Sequence, residues 1–359
     1  MSKDFQKLDQ WLTREGPVAL VIREHLMPVE GEDGVVFPPT FAAAEDKSKF
    51  AGGYNIDSAG NGKNVCIIDT VGSQANRIEP LFAEPPYRDL IPQIVIKAGS
   101  REVNLLDAGH RAGDAIVRCT ELQADLKKAF EAAIRGNAEP LAKIAPTSIV
   151  FGVWDSRDTQ AKMPRLVSSS IRAFDVSRLT RAAQYVPAIA YVEEQLLDDT
   201  DDKSVRDAYS QRGFTHVPSS NAPGGVIALG GIRRDATLSL AALRTVTAGT
   251  DSTRTENLQR YVLGLALVAF TQPASGYLRQ GCNLVANPEK PAEVCVVLRD
   301  GRREPFTMSH EDALAYAQAA AKAFGIGESR NVEFDKAIAK GEVTGGEDEA
   351  KPARKPKKK

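Results

Sequence analysis

The stretch Ala222–Arg244, APGGVIALGGIRRDATLSLAALR, frames a short apolar run with two glycine pairs, Gly224–Gly225 and Gly230–Gly231. Arg233, Arg234 and Asp235 follow at once, and then a second run with β-like alternation. Glycine pairs allow positive φ or close approach of another backbone. The pattern predicts a strand-rich segment with a tight hairpin at the glycines. Its two arginines either stand beside exposed amides, where they suit a phosphate-bearing partner, or are simply solvated.

Working outward, 359 residues with 42% hydrophobic and 26% charged content describe a soluble globular chain able to bury a large core. The net charge of −1 excludes a global nucleic-acid signature, so any such function must lie in local stripes of Lys and Arg. Cys66, Cys119, Cys282 and Cys295 show no C-x-x-C spacing, which excludes a zinc ribbon and fits buried thiols in a reducing compartment. The four histidines, His25, His110, His216 and His310, form no H-E-x-x-H pattern. The N-terminus lacks an apolar signal core, and the longest apolar run, Tyr261–Phe270, is too short to span a bilayer. A cytoplasmic location without membrane contact is the expectation.

Along the chain, residues 3–14 read as an amphipathic helix stopped by Gly16–Pro17, and Val18–Leu26 as a strand. Residues 28–63 read as a long loop or insertion. Val65–Ile68 reads as a buried strand, after which Asp69 or Thr70 caps a helix through Ser73 to Pro80. Further strands are predicted at Gln93–Ala98, Glu102–Leu106 and Ser148–Trp154, with a strong helix over Arg111–Ile134. Residues 155–181 read as polar and irregular, and Leu179–Leu197 as a helix bent at Pro187. A strand over Thr237–Val246 is followed by a long apolar helix from a capping box at Thr253 and Glu256 to Gln272. Cys295–Arg299 reads as a strand turning at Asp300–Gly301, and Ser309 caps a last helix ending at Gly325. Strands and helices mix without regular β-α-β alternation, so the fold class is α+β. One elaborated domain over 1–335 is expected, with insertions at about 28–63 and 155–235. An acidic-then-basic tail over 336–359 is expected to be disordered, serving as a weak phosphate contact or a solubility tail.

The chain has neither G-x-S-x-G nor a Walker lysine loop, and Asp57, Asp69, Asp107 and Asp155 lack a partner at catalytic spacing. The polar stretches carry more. Ser73, Gln74, Asn76 and Arg77 sit at a helix start that offers free N–H groups and a dipole suited to an anion. Residues 155–181 gather Arg157, Lys162, Arg165, Ser168, Ser169, Ser170, Arg172, Arg178 and Arg181, with Trp154 and Phe174 able to stack on bases or to serve as core. Arg212–Val217, with Gly213, Phe214 and His216, repeats the theme of cation, glycine and aromatic. Together with Arg233 and Arg234 these segments favour a nucleic-acid binder that reads backbone, with no cofactor and no metal.

The blocks VGSQANRIE (71–79), DSRxxQxKMPRL (155–166) and 224–244 resemble the CRISPR-associated RAMP protein of type I-U (I-G) systems, the Cas-seven-type backbone subunit of Cascade. The opening VEG…FPPTFA (29–42) is also similar, and the resemblance runs over roughly 18–325. It implies a modified RRM or ferredoxin-like palm with finger- and thumb-like insertions. It further implies a non-enzymatic subunit that polymerises along crRNA and presents it for target DNA pairing in antiviral defence. Expected partners are crRNA, target DNA through the guide, further copies of the chain and other Cascade subunits. The RNA-facing residues it implies are Ser73, Gln74, Asn76 and Arg77 on the first palm helix, Arg157, Lys162 and Arg165 on an inserted lobe, and Arg233 with Arg234 on the glycine-framed hairpin. An alternative reading is a RAMP endoribonuclease using a loop aspartate, Asp57 or Asp155.

Overall fold

The first strand, Ala19–Pro28, alternates between two environments: Leu20, Ile22 and Leu26 are buried, while Val21, Arg23 and His25 are only partly covered. This period of two marks a sheet with one face on the core. In the computed structural model, which describes residues 3–273 and 275–344, that strand lies at the centre of a nine-stranded sheet. It pairs antiparallel with Ile232–Ser239 on one side, and with Cys282–Ala286 and Glu293–Val297 on the other. Ile232–Ser239 then pairs with Val167–Phe174, which pairs with Lys63–Asp69. Four of these strands, Ala19–Pro28, Val167–Phe174, Ile232–Ser239 and Glu293–Val297, are traversed in the spatial order fourth, first, third, second. This α+β palm is RRM-like, and large insertions elaborate it.

The buried face is packed by Ser252–Thr271, a helix with nearly every side chain from Leu258 to Phe270 buried. It crosses the last large helix, His310–Phe324, so closely that a Cβ at Gly264 would come within 2.8 Å of Ala317 Cα. Asp251, not Thr253, caps the long helix, its side chain accepting from the Arg254 N–H. Ser309 caps the last helix as predicted, with Gly325 ending it in the left-handed region at φ 66°.

Other expectations need correction. The Leu179–Leu197 helix is instead the strand Val176–Tyr185 followed by turns, because Val217–Ala228 pairs with it and satisfies its backbone. Residues 155–181 are therefore not irregular, since Val167–Phe174 is a central strand. The Arg111–Ile134 helix is broken. Arg111 has φ 52°, Asp114 caps Ala115–Arg118, and the buried Thr120 hydroxyl donates to the Val117 carbonyl and accepts from the Leu122 N–H before Gln123–Ile134 begins. Ser148–Trp154 is a helical turn, Thr147–Val150, then a short strand, Val153–Trp154. The strand expected to reach Val246 stops at Ser239, whose side chain caps Leu240–Leu243. Within 28–63 lie Val35–Val36, Thr40–Phe41, Gly53–Tyr54 and Ile56–Gly60.

The glycine pairs do not turn a hairpin. Val167–Phe174 continues into Val176–Tyr185, and opposite it Val217–Ala228 continues into Ile232–Ser239, forming one long antiparallel ribbon. Gly230 and Gly231 occupy a kink halfway along, opposite Phe174 and Asp175. A Cβ at Gly230 would sit 2.9 Å from the Phe174 carbonyl oxygen. The outer end of the ribbon carries the 186–216 insertion, with the helix Lys203–Gln211. Lys336–Thr344, assigned from sequence to the tail, forms a helix whose Glu342 accepts a bidentate pair of bonds from Arg118 (2.6 and 2.9 Å). Residues 345–359, the rest of that tail, lie outside the described residues.

Candidate nucleic-acid interface

The sequence candidates fall into four places. The first is the palm helix, Val71–Ile78, which Thr70 caps by accepting from the Ser73 N–H. Asp69, the other candidate cap, is fully buried and receives Gln74 Nε2 at 2.7 Å, Arg77 Nε at 3.1 Å and Arg279 Nη2 at 2.8 Å. Gln74 Oε1 in turn accepts from Ser169 Oγ at 2.9 Å. Gln74 and Ser169, expected to face RNA, therefore point inward and fasten the helix to the sheet. Ser73 is half-buried, and Asn76 and Arg77 lie at the surface.

The second place is the sheet face opposite the core. Strand alternation separates Arg233 from Arg234. Arg234 turns to the helix side and forms an ion pair with Glu24 at 2.6 Å. Arg233 lies on the other face, directly between His25 and Arg172 across the strands, with Arg23 and Asp235 one pairing further along. Its guanidinium lies 4.8 Å over the Phe174 ring and bonds Asp235 at 2.9 Å. Arg172 donates to Ser170 Oγ at 2.8 Å and meets no carboxylate among the described residues. Ser168 sits on the same face, half-buried. Arg23 and His25 carry no local signal of this face in the sequence, because only the register with Ile232–Ser239 brings them beside Arg233.

The third place is a groove of about 760 Å³ on the lobe between residues 109 and 165. Trp154 lines it and is 58% exposed, with its cross-strand partner Lys162 placing Nζ 5.8 Å from the ring centroid. Arg157 and Arg165 line the same groove and are exposed. Its floor is Arg111, buried, which donates to Glu79 at 2.7 Å and to the Gly152 carbonyl at 3.2 Å. Burial pushes the Glu79 carboxyl up to about 7, while the Arg111 charge pulls it back. Asp155, an imagined nuclease residue, is buried and accepts from the Thr159 N–H and hydroxyl (2.8 and 2.6 Å). Burial would raise its pKa, yet these bonds hold it below the ordinary value.

The fourth place is the ribbon's outer end, where His216 is exposed and far in the chain pairing from the other three. No group of three or more His, Cys, Asp or Glu among the described residues could hold a metal ion. No helix among the described residues is long and apolar enough to cross a membrane.

An RRM-like palm with a half-exposed cationic sheet face and an inserted basic lobe defines the class of protein. Residues 20–178 match the family described as CRISPR-associated protein GSU0053, which marks the chain as a CRISPR-associated protein and is the family that its sequence blocks resemble. The match runs from the first palm strand into the ribbon, so the 224–244 block lies outside it. No curated protein matches the chain.

Proposed function

We propose that the chain is the non-catalytic, guide-RNA-binding backbone subunit of a type I CRISPR surveillance complex, polymerising along crRNA and presenting it for pairing with target DNA. The observation that carries this reading is the half-exposed sheet face, where Arg172 and Arg233 are cross-strand neighbours flanked by His25, Arg23 and the small donor Ser168. Forked cations and hydroxyls on a pleated surface suit phosphate and ribose, and they carry no base-edge code, as a subunit that accepts any guide requires. The CRISPR-associated family match supports the same assignment.

Purification with and without a guide-length RNA tests the proposal. The expected result is a regular filament only with RNA. Arg172→Ala combined with Arg233→Ala is expected to weaken binding uniformly across guide sequences and to lower the salt slope by about 1 per lost phosphate contact. Protein that stays monomeric with RNA, or binding that ignores salt, overturns it.

A further inference from the structure

We propose that the groove on the inserted lobe is a second nucleic-acid site, separate from the sheet face. It takes one unstacked base of a single strand on Trp154, with the neighbouring phosphates on Arg157, Lys162 and Arg165. Three features of the groove point to a ligand of that chemistry. Trp154 is a large aromatic left 58% exposed, and its one cationic neighbour among the described residues, Lys162, stands at 5.8 Å from the ring centroid, near the outer limit of such a contact. The ring is thus free to receive a second planar group.

The cations around it are available. Arg111 and Arg118 at the same groove are engaged by Glu79 and Glu342, whereas Arg157, Lys162 and Arg165 enter no ion pair among the described residues. The carboxylates near them in sequence are engaged elsewhere: Asp155 is turned inward onto Thr159, and Asp158 pairs with Lys127.

The platform is also held in place. Arg111 fixes the Gly152 carbonyl and lies over the Phe151 ring at 5.4 Å. A Cβ at Gly113 would come within 3.1 Å of the Trp154 carbonyl oxygen, so the lobe backbone packs tightly behind the ring. An acidic peptide would use the cations but leave the indole face empty. A duplex would keep its bases stacked away from it. A single strand uses both features without regard to sequence, because every base has a π-face.

The chain has two tryptophans. Trp11 is 8% exposed and packs on Phe306 with ring centroids 4.9 Å apart, so fluorescence quenching by short oligomers reports on Trp154. Titration of the full chain with oligouridylate and with oligothymidylate is expected to quench it. Response to RNA alone assigns the site to the guide, and response to DNA as well extends it to the target strand. With labelled oligomers, Trp154→Ala is expected to lose about 10-fold in affinity while Trp154→Phe retains most of it. Arg157→Ala with Lys162→Ala and Arg165→Ala is expected to flatten the salt dependence. The sheet-face variant with Arg172 and Arg233 replaced is expected to leave the quenching unchanged, which separates this site from the proposed guide-binding face. Absence of quenching by both oligomers, wild-type affinity in Trp154→Ala, or quenching by polyglutamate only overturns the proposal.

Discussion

Arg233 and Arg234 are adjacent in sequence but serve opposite faces of one sheet. Arg234 neutralises Glu24 on the helix side, while Arg233 joins Arg172 on the other. Asp69, a possible cap by its position, is the acceptor that holds Gln74, Arg77 and Arg279 together. Arg279 is remote in the chain, so no local signal could show this. Glu79 and Arg111 form a further buried ionic contact, with side chains 1% and 5% exposed. Because burial raises Glu79 to about 7 from its ordinary 4.5, the folded chain holds a proton that the unfolded chain releases earlier. Its contribution to stability is therefore full below the unfolded value and is lost as pH rises through about 7. Other carboxylates titrate alike in wild type and Glu79→Gln, so the wild type is expected to lose more stability than the variant between about pH 5 and about pH 8. Urea midpoints at the two pH values measure this, and equal shifts in both proteins would contradict it.

At the scale of elements, the ribbon depends on glycines for two different reasons. Gly225, at φ 99°, lets Val35–Val36 pair against the ribbon, and a Cβ there would run into the Val35 side chain. Gly231, at φ 80°, has open space around its missing Cβ. Gly231→Ala thus meets only backbone strain, about 1 kcal/mol, whereas Gly225→Ala adds overpacking of about 1–3 kcal/mol. Thermal melts are expected to rank Gly225→Ala clearly below Gly231→Ala, and equal melting temperatures would show that Val35 moves aside freely. Elements announced by local chemistry were legible in the sequence: the first strand, the Thr70 cap, the long apolar helix and the Ser309 cap. The ribbon was not, because Leu179–Leu197 has local helical character that pairing with residues about 40 positions away overrides. The Arg111–Ile134 break depends on Thr120 bonding its own turn, which competes with the helix without disturbing its apolar spacing. The lobe groove was legible because Trp154, Arg157, Lys162 and Arg165 are close in sequence. The sheet face was only half legible, since Arg23 and His25 enter through register alone.

The whole molecule carries a net charge of −1, yet its cations are not evenly neutralised. Arg77, Arg118, Arg234 and Arg279 are each tied to a carboxylate. Arg157, Lys162, Arg165 and Arg172 enter no ion pair among the described residues. Near-neutrality overall removes the long-range attraction that would gather any polyanion, so binding is set by the few local contacts. If the three groove cations, Arg157, Lys162 and Arg165, meet phosphates of a single strand, the logarithm of the affinity read by Trp154 quenching is expected to fall against the logarithm of salt with a slope of about −2. Affinity for oligouridylate at the groove would then drop about 20-fold between about 50 and about 200 mM salt. Replacing the three groove cations should remove most of that slope, whereas replacing Arg172 on the sheet face should leave it unchanged. A slope near zero in the wild type would mean that these charges face water, and a slope unchanged in the groove variant would mean that other cations hold the strand.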